Sequence, residues 1–482
     1  MSATGNLKSW PPLAEYLEKR WILILAASVL FSANLALTFP GKLNYDSGPQ
    51  LAEAIAGRYT DWHPPVMAWL WSWMLPAETG ASSMLVFQLA FHWTGFLLIA
   101  DGLFFGGRKK TAWIILAAGA LPFFIRYNGG IIKDVGMASV LVAACGLVFW
   151  HRARARPLSL LSTSILLLLL AYGTLVRTNA VFAIGPLLIY CFAARIRTSI
   201  AREWLMASLV VAVLALPVSS GINRYFFSAE DSGAIQSLFL FDLNGIANHT
   251  LDENVLPPAI KMPAAKLAAC YTPYFWDTWS YWGSCNFVWK NLGPPDSSIR
   301  GELKKYWISA IAAHPLAYLE HRLKAFNSIT YFLVPAKPCR LVSMCPRQSN
   351  GVERPDTRQA ILEDYFLVNI LVWPITWLSV GGVFLYLTRG ALRDGTLIAA
   401  RSLAMSATLY LGSMLVVGVA TDIRYAYWST LAVIVSVILG ADALSRNIWR
   451  INSAGRRLIT VIAMLLSAGM LTRLFDFKGF VS

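Results

Sequence analysis

Charge is scarce in this chain. Charged residues make up 14% of its 482 residues while 56% are hydrophobic, against about 25% charged in ordinary soluble domains. So few charges cannot cover that much apolar surface in water, which excludes a soluble enzyme and a disordered chain. Acidic residues are the scarcer sign, 26 against 41 Lys and Arg, a net charge of +15. In a soluble protein that excess points to nucleic acid. Here the positive residues fall in clusters between apolar runs, which excludes a simple nucleic-acid binder. No internal repeat of fixed period and no low-complexity tract is present, and the two related halves common in transporters are missing.

What is there is a series of apolar runs. A helix crosses about 30 Å of hydrocarbon with roughly 20 apolar residues. Eleven runs qualify or nearly do, near 21–40, 83–105, 111–127, 134–150, 158–175, 179–194, 204–220, 365–388, 396–418, 425–445 and 457–474. The Lys and Arg positions set the expected orientation. With a cytoplasmic N-terminus, every second connection is basic: Lys8, Lys19 and Arg20; Arg108, Lys109 and Lys110; Arg152, Arg154 and Arg156; Arg195, Arg197 and Arg202; Arg389, Arg393 and Arg401; Arg446, Arg450, Arg456 and Arg457. The C-terminus is then expected outside. Residues 62–77 are Trp-rich and begin His-Pro-Pro. A crossing there would break the alternation at Arg108, so an interfacial helix on the outer face is expected. The first run is read as a retained span, since it is long for a signal core and no A-x-A site follows.

The fold class expected is therefore an all-α polytopic membrane protein with about 11 transmembrane helices. Residues 1–220 form an N-terminal transmembrane module with a first outer loop at 41–82, residues 221–362 an outer, mainly helical loop domain, and residues 363–482 a C-terminal transmembrane module. The short loops point to a bacterial inner membrane. The outer segment holds Cys270, Cys285, Cys339 and Cys345. On an oxidising face these allow two disulfides, for which Cys270–Cys285 and Cys339–Cys345 are the short-range pairs. Cys145 and Cys191 lie inside apolar runs and read as packing residues. Residues 314–323, HPLAYLEHRL, read as a surface helix.

Ionisable residues close to membrane depth are costly, so those on the outer side are functional candidates. The first outer loop carries Asp46, then a short amphipathic segment at 49–58, then Asp61 and His63. The ordinary readings are a helix cap for Asp46 and Asp61 and a surface imidazole stacked on Trp62 for His63. The next outer turn holds Arg126, Lys133 and Asp134 beside Asn128-Gly129-Gly130, the third holds Arg177, and the last holds Asp422, Arg424 and Tyr425. Each short outer hairpin thus carries an Arg, against the positive-inside trend. Cations there call for an anion, and a phosphate suits the planar guanidinium fork. A lipid-linked phosphate beside the Asp46 carboxylate is the equipment for moving a group off that phosphate.

This set of motifs resembles the GT-C superfamily of integral-membrane glycosyltransferases, most closely the protein O-mannosyltransferase and aminoarabinose-transferase branch. The resemblance covers roughly residues 21–200 and the general layout. It implies a polyprenyl-phosphate sugar donor, a hydroxyl acceptor (glycolipid, polysaccharide or protein) and inverting transfer on the outer face. Asp46 matches the family's acidic residue of the first loop, the expected base. His63-Pro64-Pro65 matches its HPP or KPP element, Asp134 an acidic residue of the next outer hairpin, and Arg177 the Lys or Arg that faces the lipid phosphate. Arg424-Tyr425 matches a late Arg-Tyr element. Arg126 and Lys133 join Arg177 and Arg424 as expected phosphate contacts. Where the mannosyltransferases carry Asp-Glu, this chain has Asp46-Ser47, which points away from a protein acceptor. No cofactor is required. Asp46, Asp134 and His63 are ligand types that a divalent metal accepts, without a spacing that demands one. The rival classes are a lipid or sugar transporter or flippase, and an O-antigen-ligase-like transferase using Arg300, His314, His321 or Arg322 in the large loop.

Overall fold

The computed structural model describes residues 13–74, 80–192, 200–334, 369–389, 391 and 394–475. Lys8, Arg195, Arg197, Arg393 and the Cys339–Cys345 pair lie outside the described residues. About 76% of the structure is helical, with no strand among the described residues. The N-terminal half contains α1 (Leu13–Thr38), α2 (Ser47–Ala56), α3 (Val66–Met74), α4 (Ser82–Phe105), α5 (Lys109–Gly119), α6 (Pro122–Asn128), α7 (Lys133–Ala153), α8 (Leu160–Leu175), α9 (Val181–Phe192) and α10 (Ile200–Gly221). A loop domain follows with α11 (Gln236–Thr250), α12 (Ala264–Cys270), α13 (Phe287–Asn291), α14 (Ser298–Ala313) and α15 (Pro315–Ile329). The chain closes with α16 (Pro374–Leu387), α17 (Gly395–Val417), α18 (Tyr427–Ser445) and α19 (Ser453–Leu474).

Among the described residues seven helices are long and apolar enough to cross a membrane, and three shorter apolar ones accompany them at Leu160–Leu175, Thr178–Phe192 and Pro374–Leu387. The chain is an all-α polytopic membrane protein. The run at 111–127 is not one helix. It breaks between α5 and α6, where Leu121 is extended (ψ 140) ahead of Pro122, because the proline ring disfavours a helical residue before it. Among its described residues the Trp-rich segment is helical over α3, which starts after Pro64-Pro65.

The bundle has two distinct ends. At one, aspartates near helix ends gather the arginines of the basic connections. Asp101 of α4 pairs with Arg154 (2.8 Å) and Arg20 (3.2 Å). Asp442 of α18 pairs with Arg446 (3.0 Å) and Arg108 (3.4 Å). At the opposite end sits the loop domain, where α11, α14 and α15 pack together around buried Asp242. Its carboxylate takes Arg322 Nη2 at 2.6 Å and Trp307 Nε1 at 2.7 Å. Arg322 also donates to the Gly418 carbonyl at 2.7 Å, anchoring the domain to the end of α17. The segment 314–323 is thus not a plain surface helix: His321 and Arg322 are buried. The Cys270–Cys285 disulfide is formed, and Cys145 and Cys191 are free and buried.

Helices without a hydrophobic drive to associate approach through small residues. In α4 against α7, a Cβ on Gly95 would lie 2.7 Å from backbone atoms of Val142 and Ala143. One on Gly146 would lie 2.7 Å from the Gly95 carbonyl oxygen. Backbone cannot rotate away, so Gly95→Leu is expected to cost well over the about 1–3 kcal/mol of ordinary overpacking. A lowered thermal midpoint in detergent checks this. Gly382→Ala, with nothing within 4 Å, is the neutral control.

Candidate active site

The first outer loop is tied down before it presents any charge. Lys42 N–H donates to the Gly129 carbonyl (2.8 Å) and Ile131 N–H to the Lys42 carbonyl (3.0 Å). The receiving turn is held from three helices. Gln88 of α4 donates to the carbonyls of Asn128 (2.7 Å) and Gly130 (2.8 Å). Asn128 accepts from Tyr427 of α18 (2.7 Å) and donates to Asn34 of α1 (3.3 Å). Further along, α2 ends at Gly57 with φ +62, a left-handed position that suits glycine. Glu53 then accepts from the Thr60 hydroxyl at 2.7 Å, holding the turn that leads to His63.

Asp46 stands at the N-cap position of α2 but makes no capping bond. Asn44 caps instead, its Oδ1 accepting from the N–H groups of Asp46 (3.0 Å) and Ser47 (2.8 Å). The Asp46 carboxylate is therefore released to meet Arg424, with Oδ2 2.8 Å from Nη1. Arg424 also holds Asp422 through Nε at 2.8 Å. Arg177 donates to Asp134 Oδ2 at 3.0 Å and to Asn179 Oδ1 at 3.1 Å. The Tyr425 ring lies 4.5 Å from the Arg177 guanidinium and 5.3 Å from that of Arg424, so it joins the two ion pairs by cation–π contact. Lys133 Nζ lies 2.9 Å from His63 Nδ1. An ammonium only donates, so Nδ1 accepts and the imidazole proton sits on Nε2.

The electrostatics follow from this crowding. Burial alone would raise the Asp46 carboxyl, but Arg424, Lys133, His63 and Arg177 together hold it well below the usual carboxylate range. Burial and the charge of Lys133 push the His63 imidazole down to about 3, so it is neutral at physiological pH. Unfolded, it would take a proton near about 6.5. Between those values the unfolded chain binds more protons, so stability falls as pH drops from about 6.5 towards 3. His63→Gln is therefore expected to lose less stability than the parent between pH 7 and pH 5, by up to about 1.4 kcal/mol per unit. Parallel thermal-midpoint curves for the two proteins would refute it.

No family model, curated protein or solved structure matches this chain. The site therefore rests on its own geometry. Of the residues singled out in the sequence, Asp46, His63, Lys133, Asp134, Arg177, Arg424 and Tyr425 come together. Arg126 is exposed on the last turn of α6. Asp61 neither joins them nor caps α3. It accepts from Ser232 N–H at 2.7 Å, and its own N–H donates to the Glu230 carbonyl at 3.0 Å, tying the first outer loop to the start of the loop domain. His63 is buried rather than a surface imidazole. Trp62 stacks not on His63 but edge-on to Trp282, 5.7 Å away.

Asp46, Asp134 and His63 each face a protein cation, and among the described residues no three His, Cys, Asp or Glu side chains form a metal-holding group. In the loop domain Arg300, His321 and Arg322 are buried. Arg300 donates to the Gly293 carbonyl at 2.7 Å, and His321 meets the Tyr271 hydroxyl at 2.9 Å. His314 lines a separate cleft of about 440 Å³ with Asp252, Glu302, Lys305 and Tyr306. Sequence reasoning missed Asn34, Asn44 and Gln88, and noted Asn128 only as part of a turn. The available signal was a neutral polar residue inside or beside an apolar run, which averaged hydropathy hides.

Proposed function

We propose that this protein is a membrane glycosyltransferase that moves a sugar from a polyprenyl-phosphate donor to a hydroxyl acceptor, with inversion, in a GT-C-like fold of about eleven spans. The observation that carries the reading is the gathering of Asp46, Arg424, Arg177, Asp134, Lys133 and His63 around Tyr425 at one end of the bundle. Asp46 accepts the acceptor's proton as the acceptor oxygen bonds to the anomeric carbon. The bond from that carbon to the phosphate oxygen breaks, and the phosphate leaves with the electron pair as prenyl phosphate. Lys133 is the cation whose hydrogen-bond partner is a neutral ring, which makes it the open contact for the donor phosphate, with Arg177 and Arg424 beside it.

The charge balance favours this division of roles. The proton neutralises Asp46 as the leaving phosphate gains one negative charge, so the total charge of the buried site does not change. The cations that depress Asp46 are the same ones that would meet the phosphate. Charge growing on the phosphate offsets their field and makes Asp46 a stronger base as the reaction proceeds. Electrostatic contacts of this kind are worth about 3–4 kcal/mol each.

The test is product analysis of membranes with and without the protein, given a panel of prenyl-phosphate sugars. Consumption of one donor with release of prenyl phosphate is expected. Translocation of an unchanged donor would indicate a flippase, and no response to any donor would defeat the reading.

We infer that the site faces outward from a bacterial inner membrane, with the N-terminus cytoplasmic and the C-terminus periplasmic. The basic connections at the opposite end support that orientation. Lys290→Cys, on an exposed position of the loop domain, is expected to react with a membrane-impermeant maleimide in cells with a permeabilised outer membrane, beyond the background of the parent protein. Arg450→Cys, exposed beyond α18, is expected to react only after the inner membrane is opened. The reverse pattern would invert the topology.

A further inference from the structure

We propose that the disulfide-closed loop 270–285 is an acceptor subsite for a saccharide, with Asp277 as its hydrogen-bonding group and Trp62, Trp282 and Tyr281 as its stacking surface. The inference rests on the transfer reading above and names the acceptor class which that reading leaves open.

The loop touches both chain segments that supply the site. Trp276 N–H donates to the Val419 carbonyl at 2.8 Å, and Phe275 bridges Ala420, just ahead of Asp422 and Arg424. From the other side Trp62, the residue before His63, enters the loop 5.8 Å from Trp276 and 5.7 Å from Trp282. The Cys270–Cys285 bond closes the loop over a separation of 15 residues, and Cys285 N–H donates to the Thr278 carbonyl at 2.8 Å. The loop is therefore held rigid over the outer side of the cluster, and rigidity of this kind lowers the ordering cost of binding.

Asp277 is the unusual member. Its Oδ1 accepts from Trp282 Nε1 at 2.9 Å, which fixes the indole and the carboxylate relative to each other. Among the described residues no cation pairs with it, whereas Asp46, Asp134 and Asp422 each have an arginine. Burial raises its carboxyl, while the Trp282 hydrogen bond and, more weakly, the charge of Arg424 act against that rise. Trp62 and Trp282 are half-buried, and Tyr281 is 63% exposed with its ring 4.5 Å from that of Trp282.

A pyranose ring offers an apolar C–H face and a rim of hydroxyls. Aromatic rings cover the first and an acceptor-only carboxylate takes the second. An extended peptide acceptor would be served by a strand edge, and there is no strand among the described residues.

The experiment is intrinsic tryptophan fluorescence of the full chain in detergent. It is titrated with tetrasaccharides of N-acetylglucosamine, mannose and galactose, and with a Ser/Thr hexapeptide. A saturating change with at least one saccharide and none with the peptide is expected. Asp277→Asn and Trp282→Leu are each expected to weaken it about tenfold, with Asp277→Glu recovering part. If either variant shifts the thermal midpoint, Tyr281→Ala, at an exposed ring, decides, with a several-fold loss expected. Silence with every saccharide, or unchanged affinity in folded variants, overturns the proposal. Saccharide binding without consumption of any donor leaves the subsite standing and removes the transfer reading. Donor consumption with the peptide as sole acceptor does the reverse.

Discussion

Asp46→Asn is expected to lower transfer by about 10²–10⁴-fold while leaving the protein folded. Asparagine keeps the shape and the acceptor oxygen but removes the negative charge that takes the proton. Folding survives because Arg424 is not stranded: it retains Asp422 at 2.8 Å. Asn44 still caps α2, so no helix end is lost. The Asp46 side chain is 24% exposed, and a pair at that exposure contributes modestly to stability after solvent screening. Its depressed pKa stabilises the fold above the unfolded value of about 3.9, and that contribution is lost only as pH falls below it. Activity near neutral pH therefore reports chemistry rather than unfolding. A folded variant with a rate within twofold of the parent would eliminate Asp46 as the base.

Arg177→Ala is expected to damage both stability and donor use, and the two effects can be separated. Asp134 is 1% exposed and pairs with Arg177 at 3.0 Å. Removing the arginine leaves a buried carboxylate without its cation, a loss of about 3–5 kcal/mol. The helix N-terminus at which Asp134 sits offsets part of this. Adding Asp134→Ala removes the stranded charge, so the double variant is expected to regain much of the stability, a coupling of about 1–3 kcal/mol. Donor use is expected to stay weak in the double variant, because the guanidinium is still missing. Thermal midpoints for the four proteins of the cycle, with the KM for donor measured on each, check both halves. Recovery of donor KM along with stability would reduce Arg177 to a structural role.

The helical membrane character was legible because hydropathy is a local property. Each of the seven long apolar helices overlaps a stretch that reads as a span from the sequence, with ends shifted by up to about six residues, and the aspartate-held arginines lie at the connections where basic residues cluster. Local signals failed where a single residue overrides an average. Pro122 divides a continuous apolar run, and Asn44 takes over a cap that Asp46 was equally fit to make. Arg126 and Lys133 look alike in the sequence, in one short outer turn. Helical geometry leaves Arg126 exposed on α6 and turns Lys133 onto His63.

The sequence by itself determined the class of molecule, because so much apolar surface with so few charges is stable in a bilayer, and apolar runs of roughly 20 residues cross it as helices. It also determined which residue types were available outside the spans: carboxylates, guanidiniums, an imidazole and a loop rich in tryptophan. Only the tertiary structure decided the pairings. Asp46 meets Arg424 from nearly the other end of the chain, Arg177 meets Asp134, and among the described residues Asp277 is left without a cation. Each pairing depends on which helix ends the bundle brings side by side, and that is fixed by close contacts such as Gly95 against α7 and by the Asn34–Asn128–Tyr427 chain. Long-range packing of this kind leaves no periodic trace in the order of the residues.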